Sequence, residues 1–235
     1  MNLQFNLLAK NVANAKEIME ATDGRALIGI MVKHFPSIEE AAETIQTFQD
    51  EDIPVSVGLG AGDPTQWEKV VQVSVQTKPA HVNQVFPAAG YTLASLQSAN
   101  SEHTIVNALI APSGTPGKVF ICTGPASRLY REPVSCDLAA AMLAETGVQS
   151  VKFYPIEGKR RLDEVAEMVK AAVRHQIRIF EPTGGIDLDS LPDLVKVCAQ
   201  HGSERIIPHI YTSIVDRETG RTRVEDVKAL FQSVF

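Results

Sequence analysis

Ser150-Val-Lys-Phe-Tyr-Pro-Ile156, Leu162-Asp-Glu-Val-Ala-Glu-Met-Val-Lys-Ala-Ala-Val-Arg-His-Gln176 and Ile177-Arg-Ile-Phe-Glu-Pro-Thr-Gly-Gly185 follow one another and decide the fold. Two short runs rich in β-branched and aromatic residues flank a segment whose apolar positions recur at helical spacing. The order is therefore strand, helix, strand. Both outer runs are mainly apolar rather than strictly alternating, the pattern of strands covered on two faces. A helix between them lets the strands run parallel.

The rhythm continues outward. Asp137 is expected to cap a helix over 138–146 that Gly147 stops, and Asp187 or Asp189 to cap one over 189–201 that Gly202 ends. Residues 205–211 form the last strand candidate, and 224–235 close the chain as a helix. Upstream, strands are expected at 26–32, 53–59, 81–86, 104–110 and 118–124. Ser37 and Glu40 read as a capping box, Asp63-Pro64 as a helix start, and 91–98 as a short helix. Eight strand candidates, most followed by helices, predict an α/β fold: a single (β/α)8 TIM barrel spanning 1–235. No helix is legible between 104 and 124, so a hairpin there or an open doubly wound sheet stays open.

Composition narrows the function. The 235 residues are 44% hydrophobic and 21% charged, as in ordinary globular domains. A net charge of −6 speaks against a nucleic-acid partner, which needs a broad basic face, but leaves room for a small cationic pocket. No apolar run reaches the roughly 18 residues of a membrane span, and the N-terminus has no secretory pattern. Cys122, Cys136 and Cys198 lack C-x-x-C spacing, so neither a disulfide framework nor a zinc site is expected, and a cytoplasmic setting fits.

In a parallel α/β fold the chemistry lies at the carboxyl ends of the strands. Lys152 stands there between Val151 and Phe153 with no carboxylate beside it in sequence. Desolvation would free its amine for attack on a carbonyl, whereas a frayed strand end would leave it solvated. Tyr154 shares its face by period-two alternation. Glu181 is a second ionisable group in an apolar run. It is expected either to have a raised pKa suited to proton transfer or to pair with Arg178 or Lys33. Thr183, Gly184 and Gly185 could bring backbone N–H groups to an anion at a helix opening near Ile186-Asp187. Thr212 and Ser213 could complete that site. His209 and Tyr211 share one face of the last strand, while Asn83 and Gln84 interrupt the 81–86 run with polar side chains. His34 and His209 carry no metal-ligand spacing, and Arg128 could clamp a carboxylate or be solvated.

Val151-Lys-Phe-Tyr-Pro155 and Glu181-Pro-Thr-Gly-Gly-Ile186, one helix apart, resemble the two signatures of the 2-keto-3-deoxy-6-phosphogluconate (KDPG) aldolases. The chain looks most like the divergent branch associated with D-glucosaminate breakdown. The match is strongest over about 137–190. The resemblance implies a barrel, a class I lyase without metal or cofactor, and Lys152 as the imine-forming nucleophile. Phosphate contacts from Thr183, Gly184 and Gly185 and a homo-oligomeric assembly follow from it too. The family's usual Glu and Arg on strand two have no counterpart in Val55-Ser-Val-Gly-Leu-Gly-Ala-Gly62, and Glu181 stands where the common form has a non-ionisable or thiol side chain. Glu181 is thus expected to serve as the base, with Arg128 or backbone amides on the carboxylate and Tyr154 and His209 against the substrate. The implied reaction cleaves a phosphorylated 2-keto acid to pyruvate and glyceraldehyde 3-phosphate. The alternatives are a 4-hydroxy-2-oxoglutarate-type aldolase of an unphosphorylated substrate, or a non-catalytic sugar-phosphate-binding barrel.

Overall fold

A computed structural model describes residues 2–235. Its elements begin with β1 (Asn2–Leu3), β2 (Phe5–Leu8), α1 (Val12–Ala21), β3 (Ala26–Met31), α2 (Ile38–Gln49) and β4 (Val55–Gly58). They continue with α3 (Trp67–Thr77), β5 (His81–Val85), α4 (Phe86–Ser98), β6 (Ile105–Pro112), β7 (Lys118–Phe120) and β8 (Val134–Ser135). The second half holds α5 (Cys136–Glu145), β9 (Ser150–Phe153), α6 (Leu162–Arg174), β10 (Ile179–Pro182) and α7 (Leu191–Gln200). Last come β11 (Arg205–Ile206), β12 (His209–Ile210) and α8 (Val224–Gln232).

β2, β3, β4, β5, β6, β9 and β10 pair in that order, all parallel. The final strand is broken at Ile207-Pro208. Arg205–Ile206 lies between Ile179–Phe180 and Asn2–Leu3, and His209–Ile210 pairs with Asn6–Leu7. The sheet is thus curled like the wall of a TIM barrel, with first and last strands as neighbours. Helices pack against one another around it: α1 on α8, α2 on α3, α3 on α4, α5 on α6 and α6 on α7. Each contributes an apolar stripe, such as Val165, Met168, Val169 and Ala172 of α6, all buried.

Two strand assignments change. Residues 118–124 do not extend the parallel sheet: β7 pairs antiparallel with β6 and β8. Only Ser113–Gly117 separate β6 from β7, too few for a parallel crossover, so the hairpin alternative is the one adopted. In compensation, Phe5–Leu8 supplies a strand the apolar-run criterion passed over, because polar Asn6 divides it. Lys152 and Glu181 accordingly still fall on the sixth and seventh parallel strands. The strand compared above with the family's second strand is the third here. The second, Ala26–Met31, has no Glu or Arg either.

Helix starts follow local hydrogen bonding. Ser37 Oγ accepts from Glu40 N at 3.1 Å, and Asp63 Oδ1 accepts from Thr65 N at 3.1 Å. The helix expected at 91–98 begins earlier, at Phe86-Pro87, directly after β5. Ser135, not Asp137, caps α5, with its Oγ accepting from Leu138 N at 3.1 Å. α7 begins at Leu191, so no helix opens at Ile186-Asp187. Asp187 instead accepts from Ser190 N at 2.9 Å in a turn ahead of the helix.

Candidate active site

Alternation along parallel strands in register turns one set of polar side chains toward the enclosed face. Asn107 stands opposite both Asn83 and Ser150, and Glu181 opposite Lys152. With Asn6, Ser56, His81, His209 and Tyr211 they form one buried hydrogen-bonded network. Above it, at the carboxyl ends of the strands, opens a cavity of about 530 Å³ lined by Lys152, Tyr154, Thr183, Gly184, His209 and Tyr211 among others.

Glu181 is fully buried at the centre. Its Oε1 accepts from His81 Nε2 at 2.9 Å and from Ser150 Oγ, and its Oε2 from His209 Nε2 and Asn107 Nδ2, both at 2.7 Å. Desolvation by itself would raise this carboxyl. The imidazoles of His81 and His209 outweigh it and hold Glu181 well below the ordinary value. The raised pKa expected from sequence is reversed, and the alternative partners are engaged elsewhere: Arg178 with Glu204, Lys33 with Asp63. With four donors on its two oxygens and no exposed surface, Glu181 cannot touch a substrate.

Lys152 Nζ lies at the cavity floor, 2.9 Å from Asn83 Oδ1 and 3.3 Å from His209 Nδ1, both uncharged acceptors. Burial lowers its ammonium to about 8, against the opposing pull of the Glu181 charge. Burial, and next the Lys152 charge, push His209 down to about 3. Burial and then Glu181 raise the Tyr211 phenol. At neutral pH the His209 ring is therefore uncharged.

Counting protons fixes His81. Ser56 Oγ accepts from Asn6 Nδ2 at 2.8 Å and from Asn83 Nδ2 at 2.9 Å, which uses both lone pairs. Its single proton goes to His81 Nδ1 at 2.8 Å, so His81 carries its hydrogen on Nε2 and donates it to Glu181. His81, Glu181 and His209 could in principle group around a metal ion. The count leaves no lone pair at His81 Nε2 for one. The N···O separations of 2.9 and 2.7 Å are also shorter than the roughly 3.4 Å that two ligands span across tetrahedral zinc.

Of the residues singled out from sequence, Lys152, Tyr154, Thr183, Gly184, Gly185 and His209 meet around the cavity, as do Asn83, Tyr211 and Thr212. Arg128 does not. It is exposed on the excursion after β6 and lies outside the cavity, because β6 leads into the hairpin there. Lys159-Arg160-Arg161 pairs with nearby carboxylates at the surface. Cys122 is only partly buried, whereas Cys198 is in the core. Ser56, His81, Asn107 and Ser150 were missed. Their signal was a polar residue at the inward position of an otherwise apolar strand.

The Thr183–Gly185 turn is pressed backbone to backbone on a second turn. Gly158 N donates to Gly184 O at 3.0 Å, and a Cβ on Gly185, at φ 69°, would meet Gly158 N at 2.9 Å. Glycine is therefore a steric requirement at 185. Among the described residues no acceptor is paired with the N–H groups of Gly185 and Ile186.

A family model described as KDGP aldolase matches residues 1–218. A 2-dehydro-3-deoxy-phosphogluconate aldolase of Salmonella typhimurium is 41% identical over 231 residues, covering 98% of this chain and 94% of the relative. Among solved structures, KGPDC from Streptococcus mutans superposes with a TM-score of 0.61 at 11% identity, covering 100% and 98% of the two chains. A 3-hexulose-6-phosphate synthase from Salmonella typhimurium gives 0.60 at 15%, again covering 100% and 98%. At these identities the two structures speak to the fold alone.

Proposed function

The chain belongs to the KDGP aldolase family, and on that premise we propose that it is a class I aldolase of a 2-keto-3-deoxy sugar acid phosphate, with Lys152 as the imine-forming nucleophile. One observation carries the reading. Lys152 Nζ stands at the floor of the cavity on two uncharged acceptors, with its ammonium lowered to about 8. A purely structural buried lysine is ordinarily paired with a carboxylate. Here the nearest carboxylate, Glu181, is screened by His209 and Asn107.

The neutral amine attacks the C2 ketone; the N–C bond forms and the carbonyl oxygen leaves as water, giving a protonated imine. A base removes the C4 hydroxyl proton, the C3–C4 bond breaks, and its electron pair moves into the imine as the aldehyde departs. The resulting pyruvate enamine takes a proton at C3, and water releases pyruvate and the lysine. In this reading 1–235 is one domain, a closed (β/α)8 barrel acting in the cytoplasm, and the substrate is 2-keto-3-deoxy-6-phosphogluconate, as in the D-glucosaminate branch. The unpaired amides of Gly185 and Ile186, with Thr183, take the phosphate. With Arg128 outside the cavity, backbone amides of the Gly60–Gly62 segment at its rim take the carboxylate.

Borohydride reduction in the presence of pyruvate, read by intact mass, tests the proposal. The expected result is one adduct on Lys152, absent from Lys152→Ala. An unmodified wild-type chain would sink it. Removing the substrate phosphate should lower kcat/KM by more than roughly 100-fold, since two charge-assisted hydrogen bonds are worth about 3–6 kcal/mol. Equal turnover would favour an unphosphorylated 4-hydroxy-2-oxoacid.

A further inference from the structure

We propose that His209 is the proton shuttle of this site. It takes protons at Nδ1 from Lys152 and from the substrate's C4 hydroxyl and returns them to water and to carbon, while Glu181 holds the ring from behind as a positioning residue. The inference rests on the imine chemistry proposed above and assigns the base which that chemistry needs.

The argument is one of donors and acceptors. Glu181 Oε2 requires a hydrogen on His209 Nε2, 2.7 Å away, so the neutral ring keeps its lone pair on Nδ1. Lys152 Nζ is 3.3 Å from that lone pair. Tyr211 Oη is 3.0 Å from it, yet Tyr211 donates its own proton to Asn6 Oδ1 at 3.0 Å. Tyr211 therefore presents an oxygen lone pair to Nδ1. Uncharged, His209 accepts from Lys152; protonated, it donates to Tyr211. Both states of the ring have a partner without any side chain moving. The Lys152 charge that disfavours a charged ring disappears as the proton leaves Nζ, and the Glu181 carboxylate at Nε2 then favours the charged one against the cost of burial. The groups that face the ring are thus Glu181, Lys152, Tyr211 and, edge-on at 6.0 Å between ring centroids, His81. His81, with its own hydrogen fixed on Nε2, keeps Glu181 ionised.

Reach is sufficient. His209 lines the cavity, and C4 of the imine is three bonds from Nζ, so an imine bent toward the ring brings its C4 hydroxyl to Nδ1. The protons balance. Nδ1 takes one from the Lys152 ammonium and gives it to the departing C2 hydroxyl as water leaves. It takes the C4 hydroxyl proton as the C3–C4 bond breaks, and returns that proton to C3 of the enamine.

The test separates imine formation from proton transfer to carbon. Wild type and His209→Asn are compared in two assays: pyruvate–borohydride trapping, and exchange of the pyruvate C3 hydrogens with D2O. At pH 9.5 the amine of Lys152 is free without help, so the variant is expected to form the Lys152 adduct while exchange falls roughly 100-fold or more. Exchange at the wild-type rate would overturn the shuttle. So would loss of adduct and exchange together in a folded variant, which would make His209 structural. Failure of wild type to form any adduct would instead bring down the imine reading itself. Should His209→Asn not fold, Tyr211→Phe removes the acceptor of the protonated ring and is expected to slow exchange about 10-fold. Unchanged exchange would again overturn the proposal.

Discussion

Lys152 binds fewer protons in the folded chain than in the unfolded one between pH 8 and 10.5, because burial lowers its ammonium from 10.5 to about 8. Its cost to folding is therefore complete below pH 8, shrinks as pH rises through that window, and is gone above it. Lys152→Met should raise stability at pH 7 by about 1–3 kcal/mol, less than the shift implies because two hydrogen bonds go with the ammonium. Asn83 Oδ1 keeps Asn107 Nδ2 as a donor, whereas His209 Nδ1 loses its donor, which holds the gain toward the lower end of that range. Urea unfolding at pH 7 and pH 10 checks this: the gap should narrow at the higher pH, and a variant less stable than wild type at pH 7 would refute it. Lysine type and strand position made Lys152 legible in the sequence. The state of Glu181 was not, since it depends on His81, 100 residues away in sequence, and on Ser150 and Asn107 on neighbouring strands. Those partners become visible only once the register is known.

At the scale of elements, side-chain chemistry located helices well and their first residues less well. Ser37 before α2 and Asp63 ahead of α3 stand where the sequence places them. At α5 both Ser135 and Asp137 satisfy the composition rule for a cap, and the more acidic candidate was the wrong one. β8 carries the chain straight into Cys136, which leaves Ser135 in extended geometry at φ −68° and ψ 150°, while Asp137 already lies inside the first turn. Asp137 instead pairs with Arg174 at 2.7 Å on the surface. Ser135→Ala is expected to cost about 1 kcal/mol, and Asp137→Asn no more than about 0.5 kcal/mol, as for an exposed ion pair. Denaturation midpoints of the two variants would rank them, and the reverse order would restore Asp137 as the cap. The hairpin between β6 and β9 was legible only as a missing helix, because five residues cannot carry a parallel crossover.

At the scale of the whole molecule, the missed strand is also one that is paired on both of its edges. Phe5–Leu8 pairs with β3 on one side and, through Asn6 and Leu7, with β12 on the other, while Asn2–Leu3 pairs with β11. Asn6 hid the strand from an apolar-run reading, and it does so because it serves the network: its side chain links Tyr211 to Ser56. The polar face needed for chemistry thus weakened the very pattern that reveals the fold. The consequence is measurable. Removing residues 1–8 would expose two strand edges and strip Leu3, Phe5 and Leu7, each 1% exposed, from the core. At about 1.5–3 kcal/mol for each side chain, that is about 4.5–9 kcal/mol before any lost ladder bonds. A domain's entire stability is about 5–15 kcal/mol, so the truncated chain is expected not to fold cooperatively. The single replacement Leu7→Ala, at about 2–5 kcal/mol, should fold with a lowered midpoint. Circular dichroism through a urea titration distinguishes the two: a sigmoid near the wild-type midpoint for the truncated chain would mean that the first strand is an accessory to the sheet and not an integral member of it.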